Sequence, residues 1–203
     1  MRGLYAVTPE SLCDDALILA CKQALAGGAV CLQYRAKSKP AAQRKYEASQ
    51  LKALCHAANA EFIVNDDLAL AVELGCGLHI GEHDCKVHEA RAALGAQAVI
   101  GASCYDSLTL ARKASSDGAS YLAFGAFYPS ATKTNTRRAY PTLLTQAREF
   151  ALPIVAIGGI TVHNAVELIE TGADLIAVVN ALFEHPDQVY QQAKAFSACF
   201  NRR

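Results

Sequence analysis

Ile154-Val155-Ala156-Ile157-Gly158-Gly159-Ile160-Thr161 contains one complete strand-to-helix transition. A short apolar run rich in β-branched residues and closed by glycine reads as a buried strand. Thr161 suits a helix N-cap, and Ala165, Leu168 and Ile169 recur at helical spacing until a Gly172-Ala173 exit. A further apolar run at 175–179 follows at once. Strands that stay apolar on both faces and are joined through helices belong to a parallel sheet.

The same rhythm extends outward through the chain. Strand-like runs fall at 4–7, 29–34, 62–64, 77–80, 98–101, 120–124, 153–157 and 175–179, each followed by helical spacing such as Leu17, Ala20, Cys21, Ala24 and Leu25. Pro40 suits a first helical turn and Asp106 an N-cap. Gly27-Gly28, Gly95-Ala96 and Gly118-Ala119 repeat the exit seen at Gly172-Ala173. Eight units in 203 residues, about 25 residues each, predict a minimal (β/α)8 barrel spanning 1–203 as a single domain. An open doubly wound sheet would have fewer strands and a topological switch.

Composition narrows the function. Lys plus Arg and Asp plus Glu each total 19, a formal net charge of +0, which argues against a general nucleic-acid or anionic-membrane surface. With 52% hydrophobic and 19% charged residues, the chain must bury a large core. No apolar run approaches the roughly 20 residues of a membrane span, and the N-terminus lacks the order of a signal peptide, so a cytoplasmic protein is expected. The eight cysteines have irregular spacing without a C-x-x-C pair and read as small buried hydrophobes. Cys76, His79, His83 and Cys85 cluster in sequence but lack the paired spacing of a zinc site.

Barrel chemistry sits at the C-terminal ends of the strands, so strand number acts as a filter for site residues. On the second strand Gln33, Arg35 and Lys37 share one face, and two cations beside an amide suit a phosphate or diphosphate. The third strand ends in Asn65-Asp66-Asp67, and Glu82 and Asp84 follow the fourth. Carboxylates opposite cations suggest Mg²⁺ bridging carboxylate and phosphate oxygens, although Asp66 could instead cap the following helix. The sixth strand opens into a polar connection from Pro129 to Arg138 that includes Lys133, a lid or a solvated loop. Gly158, Gly159, Val179 and Asn180 occupy the ends of the seventh and eighth strands, the usual phosphate site of such barrels. His79, between Leu78 and Ile80, reads as a buried hydrogen-bonded histidine rather than a catalytic one.

Taken together, these positions resemble the thiamine-phosphate synthase family over essentially the whole chain. The Q-x-R-x-K motif is Gln33-Tyr34-Arg35-Ala36-Lys37, the N-D pair is Asn65-Asp66, and H-x-G-x-x-D is His79-Ile80-Gly81-Glu82-His83-Asp84. The strand-five serine is Ser103, P-[ST]-x-T-K is Pro129-Ser130-Ala131-Thr132-Lys133, and A-I-G-G-I is Ala156-Ile157-Gly158-Gly159-Ile160. The resemblance implies coupling of 4-amino-2-methyl-5-hydroxymethylpyrimidine diphosphate to 4-methyl-5-(2-phosphoethyl)thiazole, with release of pyrophosphate. It implies Arg35, Lys37, Lys133 and Mg²⁺ on Asp66 and Asp84 at the leaving group. Gln33 and Ser103 would orient the pyrimidine, and Asn65 would be a further substrate-binding residue. Ser130, Thr132, Gly158, Gly159, Val179 and Asn180 would hold the thiazole phosphate. The implied partners are these two small molecules, with no nucleic acid or membrane, and a homo-oligomer is left open.

The chain departs from the family at several positions. Glu82 stands where Gln is frequent, Asp67 where Arg is, Gly75-Cys76 where Ala-Asp is, and Asn180 where a small residue is. The first two departures predict extra acidic groups near the metal. A related thiazole tautomerase carries a histidine where this chain has Tyr105, which argues for the synthase. A non-catalytic phosphate-binding barrel would keep the glycines and lose the acid and cation sets, which are present here.

Overall fold

The computed structural model describes residues 1–129 and 137–201. Eight parallel strands close into a barrel in sequence order: β1 Gly3–Val7, β2 Ala29–Tyr34, β3 Glu61–Asn65, β4 Gly77–Ile80, β5 Ile100–Tyr105, β6 Tyr121–Phe124, β7 Ile154–Ile157 and β8 Leu175–Val178. β8 pairs with β1, so no strand edge is left open. The connecting helices are α1 Asp14–Ala26, α2 Ala41–Ala57, α3 Leu68–Leu74, α4 Val87–Leu94, α5 Leu108–Ser116, α6 Thr142–Ala147 and α7 Val162–Thr171. After β8 come the short α8 Asn180–Phe183 and then α9 Val189–Cys199.

Alternation along each strand sorts residues into two layers. Leu4, Leu32, Leu78, Leu122 and Ile176 point outward and pack with Leu17, Leu51 and Leu168 of the helices. Each fully buried leucine of this layer contributes roughly 1.5–3 kcal/mol. The inward layer comprises Tyr5, Val7, Cys31, Ile63, Tyr121, Ala123, Val155, Leu175 and Ala177. Its two tyrosines meet edge to face at 5.9 Å. Gly101, paired with Tyr121 in register, gives that ring its space: a Cβ there would lie 1.9 Å from the tyrosine Cζ.

Two local expectations need correction. β5 runs over Ile100–Tyr105 rather than 98–101, because the carbonyl of Ala98 is taken by Arg91 and Ser120, whereas Ser103 pairs with Ala123 of β6. Glycine, serine and cysteine made this strand look finished too early. The α5 N-cap is Ser107, whose hydroxyl accepts from the Leu110 amide, rather than Asp106. Thr161 does cap α7, in a reciprocal box with Asn164.

Candidate active site

The inward face of β2 carries Gln33 and leads to Arg35, both placed by the preceding loop. Thr8 receives the Arg35 amide on its hydroxyl at 2.8 Å, and its own amide bonds the Gln33 carbonyl at 2.9 Å. Glu10 accepts from the Lys37 amide and, at 2.7 Å, from the Ser38 hydroxyl. These backbone ties leave the Arg35 guanidinium largely open, while Lys37 is paired with a carboxylate. The Arg35 guanidinium comes only within 3.9 Å of Glu10, and the Lys37 ammonium reaches Asp66 at 2.8 Å.

Beneath this loop lies a fully buried carboxylate, Glu47 of α2. It accepts from Lys39 at 2.8 Å, from the Tyr34 hydroxyl at 2.6 Å and from the Asp14 amide at 2.8 Å. Burial alone would raise its pKa, but these donors outweigh that and hold it below the ordinary carboxylate value. Lys39 also donates to the Leu12 carbonyl. Glu47 thus clamps together the β1–α1 and β2–α2 loops.

Asp66 follows β3 with a left-handed backbone, φ +63°, uncommon for a residue with a side chain and found at sites where the surroundings hold it. Its amide bonds the His79 carbonyl of β4 at 2.8 Å. Asp84 curls back to accept from the Gly81 amide at 2.7 Å. Burial and the adjoining Asp66 carboxylate raise the Asp84 pKa above its usual range. Two neighbouring carboxylates, with a lysine as their cationic neighbour, match the demand of Mg²⁺ for one or two carboxylates, with waters and phosphate oxygens completing its shell. Among the described residues no group of three or more His, Cys, Asp or Glu side chains gathers to hold a metal ion.

The extra acids do not join this pair. Asp67 caps α3 by accepting from the Leu70 amide at 3.0 Å and is held by Arg44 at 2.9 Å. The helix cap considered for Asp66 thus falls to its neighbour. Glu82 pairs with Arg137 at 3.3 Å, and the Arg137 guanidinium lies 5.3 Å from the Tyr105 ring centre. The acidity of both departures is therefore neutralised by arginines, against the sequence expectation.

Across the mouth, Gly158 and Gly159 both have positive φ, at 103° and 63°. A Cβ on Gly158 would lie 2.4 Å from Ala126, and one on Gly159 would lie 2.4 Å from the Pro129 carbonyl. Close approach of the β6–α6 connection therefore requires these glycines, independently of any ligand. Val179 precedes α8, and Asn180 begins it with an exposed side chain. Asn65 is half-buried at the end of β3. Ser130, Thr132 and Lys133 lie outside the described residues.

Ser103 and His79 meet at 2.9 Å, and His79 continues to Tyr121, which bonds Tyr5, which in turn receives Gln33. The tyrosines were absent from the sequence-based site. An inward-facing tyrosine in a narrow barrel must find a partner for its hydroxyl, which was the available signal.

A family model described as thiamine monophosphate synthase matches residues 4–182. The chain belongs to the thiamine-phosphate synthase family. It is accordingly a transferase, and every site position named above lies within the matched span. A thiamine-phosphate synthase of Xanthomonas campestris pv. campestris (strain 8004) is 48% identical over 202 residues, covering 99% of this chain and 97% of that protein. One from Thiobacillus denitrificans is 51% identical, covering 91% and 89%. A solved thiamine phosphate pyrophosphorylase from Pyrococcus furiosus superposes with a TM-score of 0.88 at 30% identity, covering 98% of this chain and 96% of that one. Among the described residues no helix is long and apolar enough to cross a membrane.

Proposed function

We propose that the mouth joins 4-amino-2-methyl-5-hydroxymethylpyrimidine diphosphate to 4-methyl-5-(2-phosphoethyl)thiazole, giving thiamine phosphate and pyrophosphate. The observation that carries this reading is Lys37 set against the Asp66–Asp84 pair, 2.8 Å from Asp66, with Arg35 two residues before it on the same loop. Cations and a carboxylate pair on adjoining strand ends suit a diphosphate that leaves with its charge. Departure leaves a stabilised pyrimidinylmethyl cation, which the thiazole nitrogen captures through its lone pair. The protein then supplies positioning and charge stabilisation rather than a covalent nucleophile.

In this reading Asp66 and Asp84 hold Mg²⁺, which when bound supplies Lewis-acid stabilisation of the diphosphate oxygens. Arg35, Lys37 and Lys133 bind the departing pyrophosphate, and Lys37 exchanges its contact with Asp66 for phosphate oxygens. Gln33 and Ser103 orient the pyrimidine, and Asn65 is a further substrate-binding residue. Ser130, Thr132, Gly158, Gly159, Val179 and Asn180 hold the thiazole phosphate. The direct test incubates both substrates with Mg²⁺ and measures thiamine phosphate and pyrophosphate. Asp84→Ala should fold normally and lose turnover, as should wild type in excess chelator; full turnover by either removes the metal assignment.

A further inference from the structure

Four hydrogen bonds cross the barrel interior from β2 to β5. Gln33 Nε2 donates to Tyr5 Oη at 2.8 Å, Tyr5 Oη and Tyr121 Oη are 2.7 Å apart, Tyr121 Oη and His79 Nδ1 are 2.9 Å apart, and His79 Nε2 and Ser103 Oγ are 2.9 Å apart. Tyr5 is 2% exposed and Tyr121 0%. A buried hydroxyl hydrogen without an acceptor costs about 1–3 kcal/mol, and since the Cys31 thiol beside Tyr5 is a weak acceptor, each phenol turns its single hydrogen along the chain.

The orientation of the Gln33 amide decides the direction, since turning it over would offer Tyr5 an acceptor and reverse every hydrogen. Tyr5 accepts from Gln33 Nε2, which has no lone pair to offer in return, so the Tyr5 hydrogen points to Tyr121. The Tyr121 hydrogen then points to His79 Nδ1. That nitrogen must be bare, so the imidazole carries its hydrogen on Nε2 and donates it to Ser103. Ser103, half-buried at the mouth, is left with its own hydrogen free to point outward. At the other end the Gln33 carbonyl oxygen accepts from no described residue and is not a buried unpaired atom, which leaves it open to the mouth.

We propose that this one-way relay presets the mouth as a hydrogen-bond acceptor at Gln33 and a donor at Ser103, and so selects a ring offering the reverse pair. An aminopyrimidine has that pair, an exocyclic N–H and a bare ring nitrogen. Its 4-oxo analogue presents a carbonyl and a ring N–H instead. The inference rests on the pyrimidine reading above and adds its specificity. Tyr5, Tyr121 and His79 are positioning residues in it, acting through Ser103.

The test reads the His79 tautomer by ¹⁵N NMR on histidine-labelled protein, with His79 assigned by its loss in His79→Asn. Wild type should show a protonated Nε2 and a bare Nδ1. Gln33→Glu replaces the donor by an acceptor and should turn every hydrogen around, moving the ring hydrogen to Nδ1. Tyr5→Phe frees the Gln33 amide to turn, while Tyr121, left with His79 as its acceptor, should keep the ring hydrogen on Nε2. Wild type should bind the aminopyrimidine diphosphate about tenfold or more tighter than its 4-oxo analogue, and Tyr5→Phe should shrink that ratio toward one. A protonated Nδ1 in wild type overturns the proposal, as does Gln33→Glu with an unmoved ring hydrogen or Tyr5→Phe with an unchanged preference. If wild type made no thiamine phosphate, the coupling reading would fail, and the ring-nitrogen spectrum would still judge the relay.

Discussion

Arg91, near the end of α4 at the N-terminal end of the barrel, directs its guanidinium to the carbonyls of Gly95, Ala96, Ala98 and Gly118 and to the Ser120 hydroxyl. Arg35, at the opposite end, has its backbone bound by Thr8, while its guanidinium comes no nearer than 3.9 Å to Glu10. The two arginines have the same donors and opposite degrees of saturation. A cation whose hydrogen bonds are all met within the chain holds loops together. A cation held rigidly by its backbone and left unmet at its tip is preorganised for an anion that arrives from outside.

That contrast breaks most sharply at Arg35. Arg35→Ala should leave the thermal midpoint within a degree or two of wild type while lowering kcat/KM for the pyrimidine diphosphate about 10³-fold, the scale of a lost transition-state charge contact. Steady-state kinetics beside a melting curve reads both. A large fall in melting temperature with little change in kcat/KM would place Arg35 with Arg91 among the structural cations.

Glu47 sharpens the comparison, because it lies beneath the mouth yet is saturated like Arg91. Removing one partner of a buried pair leaves Lys39 uncompensated, so Glu47→Gln should cost about 3 kcal/mol at neutral pH in denaturant unfolding. The sign with pH follows from the lowered pKa of Glu47. Its contribution is complete above the ordinary carboxylate pKa of about 4.3 and is lost as pH falls through the lower folded value. The gap between wild type and variant should therefore narrow in acid below about pH 4. A gap constant from pH 7 to pH 3 would deny Glu47 its charged role.

Arg91→Ala should cost about 2 kcal/mol of stability, since water can reach some of the carbonyls it leaves behind, and should spare kcat/KM per folded molecule. Equal stability with impaired turnover would contradict the division between the two ends.

What the sequence disclosed follows the same division. Strand rhythm and glycine exits identified all eight strands, because burial on both faces forces continuous apolar runs. The inward face of Gln33 followed from strand alternation, whereas Arg35 and Lys37 lie in the loop beyond the end of β2. β5 was misplaced because a Gly101 that makes room for the Tyr121 ring looks like a strand end until the partner is known. Asp67 was counted among the acids of the site because its cap on α3 and its pairing with Arg44 depend on a backbone turn at Asp66 that composition does not reveal. Glu47 escaped notice for the reverse reason: a carboxylate in the middle of α2 looks solvated until Tyr34 and Lys39 fold over it.

Asn180 tests the comparison at its weakest contact. Its side chain is exposed at the start of α8, so it is neither saturated like Arg91 nor fixed like Arg35. An uncharged amide can turn its NH₂ toward a phosphate without changing the net charge of the pocket, and the freedom it loses in doing so offsets part of the gain. Asn180→Ala should therefore weaken thiazole-phosphate binding by about 1 kcal/mol, roughly fivefold in Kd by calorimetric titration, and leave pyrimidine diphosphate binding alone. Tighter binding by the variant would mean that the larger side chain crowds the phosphate. Gly159→Val cannot serve as the matching probe, because its side chain would strike the Pro129 carbonyl before it met any ligand. The small effect at Asn180 is the cleaner measure of whether the ends of β7 and β8 bind a phosphate, since nothing else in the described structure depends on its amide.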